Sequence, residues 1–280
     1  MVERRKVQGL DEVAEWSQAY TVGFVQPRID PMGSHSARLC GSGTLVQAGS
    51  VAGILTAAHV LDKLPNSGLM TFKRFVTGLP SKAQFMFQMD HVKKLPFGER
   101  PFGEEGPDLG FLFLPPSIAE DLKAYGSLFL NLNKQKELAR APAQYPRCVY
   151  CVSGVIDQLT SDEEPTPPVL VSKVFGMAFR NGDFVDYSIK ERHDILQLAL
   201  DLKDPPNSPT DYGGLSGGAV WRSYVEEAEN GEHWAVDKQL YGVPYHQSDI
   251  EDGKRIISGH GPKSVFDFLL DEIDEQLAAH

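Results

Sequence analysis

The stretch "YGGLSGGAVW", residues 212–221, sets four glycines around one serine, Ser216. Helix and strand interiors resist such density, since each glycine costs roughly 0.5–1 kcal/mol relative to alanine in either element. The stretch is therefore a turn, and two readings of it compete. One is a glycine-rich connection between two strands. The other is a nucleophile held on a tight turn, its hydroxyl exposed and its neighbours small enough for a substrate to approach. The residues before it, "KDPPNSPTDYG", cannot form a central strand, because proline removes the ladder donor.

Short apolar runs recur on both sides of this turn. A short helix is expected over residues 8–18, then a strand "YTVGFVQP" at 20–27 closed by Pro27, then an exposed loop "DPMGSHS". "GTLVQA" and "VAGILT" flank Gly49-Ser50, a two-residue hairpin signal. "MTFKRFV", "AQFMFQMDHV" and "LGFLFLP" read as further strands, interrupted by a helical "SIAEDLKAYG" at 117–126. Strands resume with "RCVYCVSGVI", "PVLVSKVFGMAFRNG" and "DILQLALD", and after the turn with "GAVWRSY", "KQLYGVPYH" and "KRIISGH". At the end, Val265, Phe266, Leu269, Leu270, Ile273 and Leu277 recur at helical spacing. Many short strands, few helices and no internal sequence repeat predict an all-β chain of two antiparallel β units, with the seam at about 115–145.

With 280 residues, 41% hydrophobic and 23% charged, the chain has ordinary globular composition and enough length for one large core or two smaller ones. A net charge of −11 argues against a nucleic-acid partner, which needs a basic face. The start, "MVERRKVQGLDEVAEW", lacks the apolar core of a secretory signal. The most apolar stretch, "TLVQAGSVAGILTAAHVL", is broken by Gln47, Gly49 and Ser50, so no membrane span is expected. Three cysteines, Cys40, Cys148 and Cys151, leave one odd, and the C-x-x-C at 148–151 has no second pair, so buried thiols are expected rather than a metal site. These features point to a reducing, cytoplasmic compartment.

Three residues stand out in chain order. His59 in "LTAAHV" falls just past an apolar strand, Asp108 in "GPDLGFLFLP" at the mouth of another, and Ser216 within G-x-S-x-G. Singly, each has a plain structural reading: an exposed histidine, a turn aspartate, a glycine turn. Together they make a chemistry. A serine hydroxyl needs a base to take its proton, histidine titrates near neutral pH, and a carboxylate holds the ring in the required tautomer. Backbone amides of a glycine turn can receive the charge that develops on a carbonyl oxygen.

On these motifs the sequence resembles the chymotrypsin-like serine proteases from about Tyr20 to the C-terminal helix. "TAAHV" is similar to the family's histidine motif, "DLGFLFL" to its aspartate strand, "GLSGGAV" to its serine motif and "KQLYGVPYH" to the strand lining its substrate cleft. The resemblance implies two antiparallel β-barrels with a short N-terminal helix and a C-terminal helix. It divides the chain into an N-terminal extension (1–19), a first barrel carrying His and Asp (20–116), a linker (117–145), a second barrel carrying Ser (146–262) and the C-terminal helix (263–280). It implies His59 as general base, Asp108 as its orienter, Ser216 as nucleophile, and the amides of Gly214 and Ser216 as the oxyanion hole. No metal or organic cofactor is implied, and the partner is a protein or peptide substrate.

Two positions depart from secreted members of the family. Leu215 stands where an aspartate pairs with a newly cut N-terminus, so that activation switch is expected to be missing. Val60 stands where many members have a cysteine, which leaves Cys40 without that disulfide. Restraint would then fall to a regulatory protein partner or a substrate-ordered loop. For the specificity pocket the resemblance points to Thr210 at the floor, or Asp211 after a one-residue shift, which would favour basic side chains. Tyr245, His246 and Gln247 fall on the cleft strand, with Gln247 narrowing the pocket, and His246 or His260 within reach of an acidic side chain. Two alternatives stay open: a dormant or non-catalytic protein of this fold acting as a binding module, and an α/β-hydrolase esterase, whose nucleophile elbow shares G-x-S-x-G.

Overall fold

In a computed structural model, which describes residues 7–29, 35–74, 84–98, 107–141, 145, 147–162, 173–203 and 208–278, the chain forms two antiparallel β-barrels with short helices at both ends. It opens with a two-residue strand β1 (Val7–Gln8) and helix α1 (Leu10–Gln18). The first barrel contains β2 (Thr21–Ile29), β3 (His35–Ala48), β4 (Val51–Thr56), helix α2 (Ala58–Lys63), β5 (Leu69–Arg74), β6 (Gln84–Gln88), β7 (Lys93–Phe97) and β8 (Leu109–Phe113). Helix α3 (Pro116–Ala124), the short β9 (Leu130–Asn131) and helix α4 (Leu132–Arg140) cross to the second barrel. That barrel is built from β10 (Arg147–Asp162), β11 (Lys173–Lys190), β12 (His193–Asp201), β13 (Ala219–Glu227), β14 (His233–Glu251) and β15 (Lys254–His260). A π-helical run over Lys263–Leu269 continues into α5 (Leu270–Ala278).

The second barrel closes on itself. Its strands follow the order β10-β11-β12-β15-β14-β13, and β13 pairs back onto β10. Closure is possible because β14 is long: residues up to Gly242 pair with β13, and Val243 onward pair with β15. The first barrel repeats the plan with a broken strand. β6 pairs with β5 and β7 with β8, and only the 3-10 turn Met89–His91 separates β6 from β7. The two halves therefore play the part of β14. Both barrels have the same strand order, although no repeat is visible in the sequence.

The alternation of side chains along these strands fills one core in each barrel and two more clusters across the junction. Phe24, Leu45, Ile54, Met70 and Phe72 occupy the first barrel, and Val152, Leu196, Leu198 and Ile257 the second. Across the junction Val46, Leu55 and Phe111 meet Cys151, Trp221 and Leu240, and Val265, Phe266 and Leu269 of the C-terminal segment. Trp221 is fully buried and its indole N–H donates to Ser153 Oγ at 2.8 Å, so its polar edge is satisfied within the core.

Several expectations need correction. β2 runs through Pro27 to Ile29, because β5 pairs with β2 only at Val22–Val25 and beyond it β2 has β3 as its single partner among the described residues. β7 is a strand although "KKLPF" carries two lysines and a proline. Residues 7–8, within the expected N-terminal extension, pair in parallel with His233–Trp234 at the second barrel's edge. The C-terminal helix starts as a π-helix. Cys148 is exposed while Cys40 and Cys151 are buried, because positions three apart on β10 face opposite sides of the sheet. Burial pushes the Cys151 thiol up to about 12. The antiparallel barrels exclude the α/β-hydrolase alternative, which needs a central parallel sheet. The loop at 30–34 and the start of "PVLVSKVFGMAFRNG" at 168–172 lie outside the described residues. Among the described residues no helix is long and apolar enough to cross a membrane.

Candidate active site

His59 is the second residue of α2, a six-residue helix entered directly from β4. Ala57 and Ala58 are fully buried, so small side chains let this helix lie close against the barrel. Lys94 of β7 fixes its far end by donating from Nζ to the carbonyls of Leu61 (3.3 Å) and Leu64 (2.9 Å), where a cation also suits the helix dipole. Burial lowers the Lys94 pKa, which marks how far the ammonium has been drawn inside.

Asp108 enters β8 and holds the histidine with both oxygens. The His59 backbone N–H donates to Oδ1 at 2.9 Å, and ring Nδ1 lies 2.6 Å from Oδ2. A carboxylate can only accept, so Nδ1 carries a proton, and in the neutral ring Nε2 keeps its lone pair. The carboxylate is 4% exposed against 26% for the imidazole, which gives a buried orienter behind a half-open base.

Ser216 stands at the junction of the barrels. Its carbonyl accepts from Ser42 N–H of β3 at 2.8 Å, and Gly217 N–H donates to Pro244 O at 2.8 Å. Gly214 has φ +96, and a Cβ there would fall 2.4 Å from Leu39 Cδ2 and 2.8 Å from Val155 O. The turn is pinned by its carbonyls. Gly213 O accepts from Asp157 N–H at 2.8 Å and Leu215 O from Gly218 N–H at 2.9 Å. In a trans peptide the N–H points opposite to the C=O. The Gly214 and Ser216 N–H groups are thereby turned away from those partners, and neither makes a hydrogen bond among the described residues. The Ser216 hydroxyl donates to the Tyr245 carbonyl at 3.2 Å rather than to His59.

Ser42, which the sequence reading did not single out, ties these parts together. Its Oγ donates to Gly214 O at 2.7 Å and accepts from Val155 N–H at 2.8 Å, while its carbonyl accepts from Thr56 Oγ1 at 2.7 Å. One fully buried hydroxyl on the first barrel thus holds the second barrel's turn. A serine amid "CGSGTLV" gives no sequence signal of that duty.

A cavity of about 170 Å³ beside Ser216 is lined by Tyr212, Gly213, Leu215, Pro244, Tyr245, His246, Gln247 and Ile257. Gln247 is held at both ends of its amide: Nε2 donates to Asp211 Oδ1 at 2.7 Å and Oε1 accepts from Tyr212 N–H at 2.9 Å. Of the expected pocket residues, Tyr245, His246 and Gln247 line it. Thr210 and Asp211 stand outside, their N–H groups held by Gln158 Oε1. The Asp211 carboxylate is an exposed clamp on Gln247, not a pocket floor, and that bond with the Gly213 N–H holds its pKa low. A second cavity of about 550 Å³ borders Gly213 and Gly214, between Leu39, Cys40, Lys63, Asp157 and Phe175. Among the described residues no cluster of His, Cys, Asp and Glu has the makings of a metal site.

His260 does not line the pocket; it is fully buried behind Tyr245, whose ring stacks on it at 4.6 Å. Its Nε2 accepts from the Asp108 backbone N–H at 2.8 Å and its Nδ1 faces the Asp194 carbonyl at 3.1 Å. Both partners require the neutral ring. Burial is the main cause that lowers its pKa to about 4, with His193 acting in the same direction and the charges of Asp108 and Asp194 opposing it. An unfolded histidine titrates near 6.5, so between that pH and about 4 the unfolded chain holds a proton that the native chain refuses. Stability from this group is therefore present above pH 6.5 and is lost on acidification, by on the order of 3 kcal/mol at pH 4. Urea unfolding at pH 7 and pH 4.5 is expected to show the drop, and His260→Gln to reduce it; equal drops in both proteins would place the acid sensitivity elsewhere.

No protein-family model matches this chain, and no curated protein sequence matches it.

Proposed function

We propose that the chain is a serine endopeptidase working through an acyl-enzyme. Ser216 is the nucleophile, His59 the general base and Asp108 the group that orients it. The observation that carries the reading is the pinned turn: the Gly214 and Ser216 amides make no hydrogen bond among the described residues, on a turn that also carries Ser216 at the barrel junction, and a histidine of the first barrel is already bonded to a buried carboxylate. In the reaction, His59 Nε2 takes the Ser216 Oγ proton as Oγ bonds to the substrate carbonyl carbon. The two amides receive the oxyanion, His59 returns the proton to the departing amine, and the acyl ester is then hydrolysed by water. The cavity beside Gln247 would take the side chain before the cut bond, and the larger one bordering Gly214 the leaving peptide. A cytoplasmic setting is part of the proposal, supported by the odd cysteine count.

One observation favours a second reading, a resting form. The Ser216 hydroxyl is engaged by the Tyr245 carbonyl, so it must rotate toward His59 before reaction. Incubation with a fluorophosphonate followed by peptide mapping separates the readings. An adduct on Ser216 that forms far more slowly in His59→Ala supports the peptidase. An adduct seen only after adding a cell extract supports a partner-released form, and no adduct under either condition overturns both in favour of a binding module.

A further inference from the structure

The buried contacts behind the site form one continuous path from the C-terminal segment to His59. Asp194, at the start of β12, is fully buried, and its carboxylate accepts from the N–H groups of Gly261, Lys263 and Ser264 at 2.8–3.0 Å. It also accepts from Ser264 Oγ at 2.5 Å and Tyr187 OH at 2.6 Å. It therefore caps the first turn of the C-terminal helical segment with five donors. The Asp194 N–H is in turn held by Ser264 Oγ at 2.8 Å, which fixes this residue's backbone from the same turn. Its carbonyl meets His260 Nδ1, and His260 Nε2 accepts the Asp108 N–H.

His260 also touches the other half of the site. Its ring supports Tyr245, and the Tyr245 carbonyl holds the Ser216 hydroxyl. A single ring thus sits against the backbone of the orienting aspartate and against the residue that holds the nucleophile. An apolar residue there would leave the buried Asp108 N–H without an acceptor, so a purely space-filling role does not account for the choice of side chain.

We infer that His260 is a positioning residue that sets the His59–Asp108 pair and couples it, through Asp194, to docking of the C-terminal helical segment. The prediction about rate rests on the peptidase reading, whereas the prediction about geometry does not. In the neutral state the ring accepts at Nε2 and donates at Nδ1. Protonation would set N–H against N–H at Asp108. The charged and titratable groups around the ring are Asp108, Asp194, His193 and Tyr245, with Lys263 and Tyr187 gathered at the far side of Asp194.

The test follows two signals in the full chain: the low-field proton resonance of the short His59 Nδ1–Asp108 bond, and the rate of fluorophosphonate labelling. His260→Phe keeps a ring under Tyr245 but removes the acceptor. It is expected to lose or shift the resonance, to slow labelling about a hundredfold, and to move the pH midpoint of labelling. His260→Gln, which restores an acceptor, is expected to recover most of both. Should His260→Phe fail to fold, Ser264→Ala reads the same path from its far end, with about a tenfold slower rate and a shifted resonance. An unchanged resonance in folded His260→Phe, or in Ser264→Ala where His260→Phe does not fold, overturns the inference. A wild type that shows the resonance but never labels, with the resonance lost in His260→Phe, would keep the positioning role and remove the peptidase reading.

Discussion

Ser216→Ala is expected to lower peptide hydrolysis by about a millionfold, and Asp108→Asn by about ten-thousandfold, each with the fold intact. The two losses have different causes. Alanine removes the atom that forms the acyl bond, and what remains is binding and the two amides. Asparagine keeps the shape of Asp108 but can present an N–H to His59 Nδ1. The ring would then carry its proton on Nε2, pointing at the serine, with no lone pair there to accept one. The 2.6 Å contact and the backbone bond to the other carboxylate oxygen leave little room for the asparagine to turn away. Turnover of a peptide library and near-neutral unfolding curves, measured on both variants, check this. Asp108→Asn with turnover within tenfold of wild type would mean that the 59–108 pair is structural and that another group serves as base.

Gly217→Ala is expected to destabilise the protein by on the order of 4 kcal/mol, enough to lower Tm by about 10 °C. The glycine has φ +84, and a Cβ there would lie 2.0 Å from Thr56 Oγ1, 2.3 Å from Ser42 O and 3.0 Å from Ala57 N. Two of these are backbone atoms of the first barrel, and Thr56 Oγ1 is itself bonded to Ser42 O. The methyl group cannot be accommodated without parting the barrels at the serine turn. Gly49→Ala is the control. Its φ is +56 and nothing lies within 4 Å of the added carbon, so only the left-handed backbone cost of about 1–2 kcal/mol applies. Urea denaturation of both variants separates steric exclusion from backbone strain. Equal losses would show that the barrel junction yields readily at this point.

The legible parts of the sequence were those where a local rule leaves little choice. Gly49-Ser50 between two apolar runs gave the β3–β4 hairpin, and "KRIISGH" matched β15 to its ends. The proline-rich run before Ser216 excluded a strand, and the glycines around it a helix. Where rules conflicted, the partner decided. "KKLPF" reads as a loop by composition, yet β8 offers it a full ladder. Pro27 looks like a terminator until β5 is seen to stop short of it, which removes the demand for a donor. Gln247 on the cleft strand is a lining residue as expected, whereas Thr210, placed at the floor by counting, and Asp211, placed there by a one-residue shift, both stand outside. That count carried no information on which way the loop at 210–213 turns its side chains.

By itself the sequence determined the all-β class and the order of His59, Asp108 and Ser216, because turn chemistry and apolar alternation act over a few residues. Only the tertiary structure decided what surrounds those three. Ser42 reaches Gly214 across 172 positions and His260 reaches Asp108 across 152. Such contacts depend on how two barrels meet, and a buried serine or histidine has no local pattern that announces its partner. The shared strand order of the barrels is of the same kind, since hydrogen-bonded neighbours are fixed by closure of a sheet and not by likeness of its strands.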